Sequence, residues 1–173
     1  DFSEVVYESE TFPNSFKSNA NLAGIVFPQN VTKTSSAAFQ KTGMTSVTLL
    51  KGISYGSNAF DSCASLVSVT VEEGVTEIGN YMFQNTKLTS VTLPNSVTKI
   101  GASAFNGCSL TTINFGQGVK TIENSAFQNC GELTEIILPD ATETLGQNAF
   151  GDCPKLAKIS LGKNMKTLEA YCF

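Results

Sequence analysis

The chain has no histidine and no tryptophan, only five prolines, and charges on only 15% of its 173 residues. Without histidine, Ser-His-Asp and Cys-His nucleophilic mechanisms and His-containing zinc sites are excluded. No glycine-rich phosphate loop occurs, since the 14 glycines fall mostly at turns and at positions of the Gly79 and Gly101 type. No apolar run approaches the roughly 20 residues that a membrane-spanning helix needs. The opening Asp1-Phe2-Ser3-Glu4 lacks the basic start and apolar run of a signal peptide. Acidic residues outnumber basic ones 15 to 11, and the lysines are scattered, so nucleic acid and anionic membrane are poor partners. Hydrophobic residues, at 41%, suffice for a core.

What the chain does have is a periodic phenylalanine. Phe39, Phe60, Phe83, Phe105, Phe127, Phe150 and Phe173 recur with a nearly constant period, and Phe16 stands one period before the first. A unit this short cannot enclose a core alone, so its apolar face must be buried by its neighbours. The expected architecture is an α/β solenoid.

The copy from Phe83 shows the unit. Ser90 to Leu93 alternates polar and apolar residues and predicts a half-buried strand. Pro94, Asn95 and Ser96 turn the chain. Val97 and Ile100 form a second apolar pair ended by Gly101. Ala102, Ser103, Ala104 and Phe105, followed by Asn106 and Gly107, read as one helical turn that packs its ring inward and stops. The first strand recurs at Leu22-Ile25-Phe27, Met44-Val47-Leu49, Leu66-Val69-Val71, Leu110-Ile113-Phe115, Leu133-Ile136-Leu138 and Leu156-Ile159-Leu161, which predicts seven main strands. The copy after Phe39 is the shortest and carries Tyr55 in the Ile100 position, so a local irregularity is expected there. About seven such repeats fill 16–173. Residues 1–15 read as an irregular N-terminal cap or the remnant of a preceding module, with Val5, Val6 and Tyr7 as a short strand. Because the chain stops at Phe173 without a polar closing segment, a fragment of a longer protein is expected.

Leu-x-x-Val-x-Leu, repeated with the period of the phenylalanines, resembles a leucine-rich repeat. More narrowly, Leu-Thr-Ser-Val-Thr-Leu-Pro, then Val-Thr-Lys-Ile-Gly, then Ser-Ala-Phe-x-x-Cys resembles the BspA-type leucine-rich repeats of bacterial and protist surface proteins. Where the commonest leucine-rich repeats carry Asn or Cys after the strand, this chain has Gly74, Ser96 and Gly118. The turn must then satisfy its backbone through a second short strand. The expectation is a right-handed superhelix with a parallel main sheet, a second short strand and one helical turn per repeat. The resemblance implies an extracellular or cell-surface protein that mediates adhesion.

Cys63, Cys108, Cys130 and Cys153 each follow a repeat Phe by three residues, while Thr42 and Thr86 hold the same column elsewhere. A stack of thiols admits a metal or disulfide reading, but Thr can serve neither, so reduced, buried thiols are expected. Glu72 and Glu73 adjoin and find no acid in the equivalent positions of neighbouring copies, which speaks against a glycosidase pair. Asn30-Val31-Thr32 is a single glycosylation sequon.

The outward row of the main sheet is the candidate binding face: Ser68, Thr70, Ser90, Thr92, Thr112, Asn114, Glu135 and Ile137. Strands about 4.8 Å apart would extend it over about 30 Å. Two readings stand side by side, that the row binds a partner or that its hydroxyls only solvate a β-branched sheet. The function read from repeats and missing catalytic groups is a non-catalytic interaction or adhesion module. It would bind a protein or a cell-surface glycan without cofactor or metal. A structural spacer and a polysaccharide-acting solenoid enzyme are the alternatives.

Overall fold

The structure is a computed structural model that describes residues 9–173, so the strand expected at Val5 to Tyr7 lies outside the described residues. A regular coil contributes a main strand and a short second strand, all parallel. The main strands are β3 (Ser46–Leu49), β4 (Ser68–Val71), β6 (Ser90–Thr92), β8 (Thr112–Asn114), β10 (Glu135–Ile137) and β12 (Lys158–Ser160). The second strands are β1 (Thr11–Phe12), β2 (Lys33–Thr34), β5 (Glu77–Ile78), β7 (Lys99–Ile100), β9 (Thr121–Ile122), β11 (Thr144–Leu145) and β13 (Thr167–Leu168). Register follows the repeat: Val47 pairs with Val69, Val91 with Ile113, and Ile136 with Ile159. The stacked parallel strands form a leucine-rich-repeat solenoid.

The two walls differ in continuity. β5, β7, β9, β11 and β13 form one five-stranded ladder, whereas the main strands pair as β3–β4, β6–β8 and β10–β12. Six main strands occur among the described residues where the repeat count predicts seven. The segment of Leu22, Ile25 and Phe27 packs against the core without forming a strand. Gly24 lends it no side chain, Pro28 no N–H, and as an edge segment it has only one neighbour.

The expected helical turn is also absent, since no helix occurs among the described residues. In its place each repeat Phe from Phe39 to Phe150 is flanked by two residues with left-handed backbone, for example Ser103 (φ 53°) and Gly107 (φ 70°) around Phe105, or Ser125 (57°) and Asn129 (60°) around Phe127. Alternate N–H groups then point in two directions. Ser103, Phe105 and Gly107 donate to Asn124, Ala126 and Gln128 of the next coil at 3.0, 2.8 and 2.9 Å. Ala104, Asn106 and Cys108 instead close turns onto Gly101, Ser103 and Phe105. A helical turn would spend every N–H within its own coil. The left-handed residues free every second one for the neighbour.

The core is the Phe column. Phe39, Phe60, Phe83, Phe105 and Phe127 are fully buried and Phe150 nearly so. Their rings stack at 5.1–5.6 Å between centroids, with interplanar angles of 20° or less. Two ends depart from the expectation that every repeat Phe is buried. Phe16 is partly buried, and Phe173 is 46% exposed because no coil covers its outer face. Around the column, Leu66, Leu88, Leu110, Leu133, Ile78, Ile100 and Ile122 are sealed from solvent.

The coil between Phe39 and Phe60 is irregular, as its length foretells. Tyr55 follows Leu49 by six residues, whereas Ile100 follows Leu93 by seven. The Tyr55 hydroxyl accepts the Leu50 N–H at 3.0 Å, and burial pushes its phenol up to about 12. A single bridge joins Ser54 to Lys33, and no ladder joins it to β5.

Phe105→Ala removes a ring stacked on both faces and should cost about 3–5 kcal/mol. Denaturant melts measure it, and a loss below about 1 kcal/mol would show that the column is not the core.

Candidate binding face

Strand alternation sorts the main sheet into core and surface. In β3, Val47 and Leu49 are buried while Ser46 and Thr48 face solvent; in β6, Val91 is buried between exposed Ser90 and Thr92. Six of the eight candidate residues, Ser68, Thr70, Ser90, Thr92, Thr112 and Asn114, are exposed. Glu135 is half-buried and its carboxylate pairs with Lys158, and Ile137 is 60% exposed. Asn114 and Thr92 meet through a long contact of 3.5 Å.

The sheet does not present the eight residues as one flat row. Among the described residues no backbone hydrogen bond joins 111–116 to 133–138, and the main sheet opens there into a groove of about 580 Å³. Thr112, Asn114, Glu135 and Ile137 line it together, with Phe115 and Pro139. Thr70 lines a second hollow of about 420 Å³ beside Gly24, Val26 and Thr48. Ser68, Ser90 and Thr92 lie outside both. The groove thus combines hydroxyl, amide and carboxylate groups with an exposed isoleucine.

Sequence reasoning missed a set of charge pairs between the last two coils, of which Glu135 and Asp140 line this groove. Lys155, Lys158, Lys163 and Lys166 pair with Glu132, Glu135, Asp140 and Glu143, each one coil earlier. A signal for them exists, because the partners of every pair stand one repeat period apart in the chain. The Lys163 hydrogen bond holds the Asp140 carboxyl below its ordinary range, and Lys166 does the same for Glu143. Lys99 and Glu123 form a fifth pair at 2.8 Å. Such exposed pairs contribute little to stability, so their main effect is to neutralise one coil's acids with the next coil's lysines.

The cysteine column is structural in geometry. All five cysteines are free thiols. Sγ of Cys63, Cys108, Cys130 and Cys153 donates to the carbonyl of Phe39, Phe83, Phe105 and Phe127, in each case the Phe one coil back, at 3.1–3.3 Å. Thr42 and Thr86 donate to Phe39 and Phe83 at 2.9 Å, so Thr and Cys serve the same carbonyls from adjacent coils. Cys63, Cys108 and Cys130 are buried, but Cys153 is only half-buried, against the expectation for the whole column, because no coil covers its outer side. Among the candidate acids, Glu72 accepts the Lys51 N–H at 3.0 Å and Glu73 is exposed.

The chain belongs to the family described as BspA type leucine-rich repeat region, whose sequence model matches six copies over residues 8–63 and 53–173. Repeat domains of this kind generally mediate protein interactions and are generally non-enzymatic. A search of curated proteins found no match. Among solved structures, the chain is similar to the T. pallidum leucine-rich repeat protein TpLRR, with 23% identity and a TM-score of 0.74 over 92% of this chain and 77% of that one. It is also similar to the pneumococcal vaccine antigen PcpA, with 21% identity and a TM-score of 0.56 over 90% of this chain and 51% of that one. A leucine-rich repeat protein from Eubacterium ventriosum matches at 20% identity and a TM-score of 0.55, over 93% and 60%. These likenesses establish the shared fold.

Burial pushes the Cys108 thiol up to about 11 and the Cys130 thiol higher still, from an ordinary value of 9.0. A thiol that ionises more readily unfolded than folded supports the native state below pH 9 and withdraws that support as pH rises through the folded value. Stability should therefore fall between pH 9 and about 11, and Cys108→Thr should flatten the fall. Melts across this window check it. In native protein at neutral pH, labelling of Cys63, Cys108 and Cys130 should be slow and become complete on unfolding.

Proposed function

We propose that this domain is a non-catalytic adhesion or protein-interaction module of an extracellular or cell-surface protein, which engages a host or cell-surface macromolecule through its main-sheet face. The observation that carries this reading is the groove between β8 and β10, where Thr112, Asn114, Glu135 and Ile137 combine exposed polar groups with an exposed apolar side chain. Family membership supports it, since repeats of this kind generally mediate protein interactions. The face lacks Trp and Arg anchors, so one module binds weakly and gains strength when several engage together. The face needs neither cofactor nor metal for this.

The competing readings are a spacer, which would bind nothing, and a solenoid enzyme, which would need acids facing each other across coils. Charges on this chain instead pair acid with lysine across adjacent coils. Immobilised matrix proteins and a cell-surface glycan array test binding directly.

The variant Thr70→Arg, Thr92→Arg, Asn114→Arg should keep the fold, each exposed change costing within about 0.5 kcal/mol, and should abolish binding. Unchanged binding would move the site off the main face. Hydrolysis of any polysaccharide by the purified chain would show the functional class to be wrong.

A further inference from the structure

The second sheet is broken at one step, and the break leaves a specific set of unused groups. In each coil from Phe83 onward, two N–H groups of the second wall reach back to the preceding coil. Thr98 reaches Thr76, Lys120 reaches Thr98, Glu143 reaches Lys120 and Lys166 reaches Glu143, at 2.8–2.9 Å. Likewise Gly101, Glu123, Gly146 and Glu169 reach Ile78, Ile100, Ile122 and Leu145, at 2.8–2.9 Å. The equivalent donors one coil earlier are the N–H groups of Thr76 and Gly79, and among the described residues neither has a hydrogen-bond partner.

The cause lies in the preceding coil, where one residue is missing between Leu49 and Tyr55. Tyr55 is turned inward to hold the Leu50 N–H, and its segment forms no ladder with β5, although the Tyr55 carbonyl oxygen stays 3.6 Å from where a Cβ on Gly79 would stand. Two adjoining hollows of about 190 and 140 Å³ open there, and they share Tyr55, Glu77 and Gly79. Ser54 and Ser57 add hydroxyls, one to each hollow. The coils themselves are not parted, because the Phe60 and Phe83 rings still stack at 5.6 Å. A peptide strand therefore has no room to enter between them, and a ligand must seat from outside.

We infer that this notch is a second binding site, for a single neutral sugar ring. Its oxygens would accept the Thr76 and Gly79 N–H groups, its hydroxyls would donate to the Glu77 carboxylate, and its C–H face would lie toward the Tyr55 ring. Sugars carry acceptors, donors and an apolar face on one small rigid frame, which is the mixture the notch displays. Lys99 also lines one hollow, but its ammonium is held by Glu123 at 2.8 Å, which leaves the exposed Glu77 carboxylate to disfavour an anion. The site lies on the second wall and does not depend on what the main face binds.

Amide chemical shifts of the 15N-labelled chain, titrated with glucose, galactose and N-acetylglucosamine to about 50 mM, test it. The expected result is saturable shifts at Thr76, Glu77 and Gly79 from at least one sugar, with a Kd of about 1–10 mM. Glu77→Gln, an exposed change that should leave the fold intact, should weaken binding about threefold or more. The main-face triple variant should bind the sugar unchanged, which separates failure of this site from failure of the other. Absence of saturable shifts in the wild-type chain, or shifts confined to the main face, overturns the inference. Shifts at the same amides from N-methylacetamide but from no sugar would also overturn it, in favour of a peptide carbonyl.

Discussion

Alternate backbone N–H groups beside each Phe are handed to the next coil, and the rest of the molecule depends on that transfer. Phe83, Phe105 and Phe127 each donate to the Ala one position before the following Phe, at 2.8 Å, which sets successive rings in register. Stacked rings 5.1–5.6 Å apart and strands spaced about 4.8 Å apart are then consequences of a single repeat distance. The cost is two left-handed residues per coil, unfavourable for any residue with a Cβ by about 1–2 kcal/mol. Small side chains or Asn hold most of these positions, as at Ala37, Asn58, Ser103, Ser125 and Asn148. Gly107 avoids the cost, whereas Tyr81 and Tyr171 bear it with bulky side chains.

How much of this is legible in the sequence depends on whether a feature is written into one copy or only into the relation between copies. The Phe period, the inward Val47, Leu49 and Val91, and the buried pair Val97 and Ile100 are properties of a single unit, and periodicity reveals them. The turn at Phe105 misleads because Ala-Ser-Ala-Phe-Asn-Gly has helix-ending chemistry in isolation. Only the partners at Asn124, Ala126 and Gln128 show that its N–H groups are needed outside the coil. The Lys163–Asp140 and Lys166–Glu143 pairs are likewise invisible along one copy and plain once the chain is folded into its period. For the candidate face, the outward direction of Ser90, Thr92 and Asn114 is readable from alternation. The opening between β8 and β10 is not, since nothing in Thr112–Asn114 or Glu135–Ile137 announces that their ladder is missing.

The two walls divide the mechanical work. The second wall carries a continuous ladder from β5 to β13, while the ladders of the main wall run only in pairs, with the Lys87 N–H to Leu66 carbonyl bond joining the β4 and β6 coils. Curvature or opening of the solenoid is therefore least resisted on the main side, at the joints between β4 and β6 and between β8 and β10. The Phe column lies between the walls and keeps its ring contacts across both joints, Phe60 on Phe83 and Phe105 on Phe127. A surface of this kind can adjust its grooves without disturbing its core.

In a chain built from near copies, a regular coil offers a ligand the same groups as its neighbours, so recognition must draw on departures from the repeat. Three such departures stand out. Glu135 and Ile137 replace the hydroxyl pairs found at Ser68 and Thr70 or Ser90 and Thr92, just where the main sheet opens. The four lysines of the last coil answer four acids of the coil before it, so charge is gathered at one end and balanced there. One residue lost before Tyr55 leaves Thr76 and Gly79 with idle donors on the other wall. None of these breaks the Phe column: Tyr55 of the short coil meets the Phe60 ring at a tilt, and the rings on either side of that coil still stack at 5.3 and 5.6 Å. The repeat can therefore vary its surface one coil at a time, because the interaction that defines the fold is confined to the backbone and the ring at its centre.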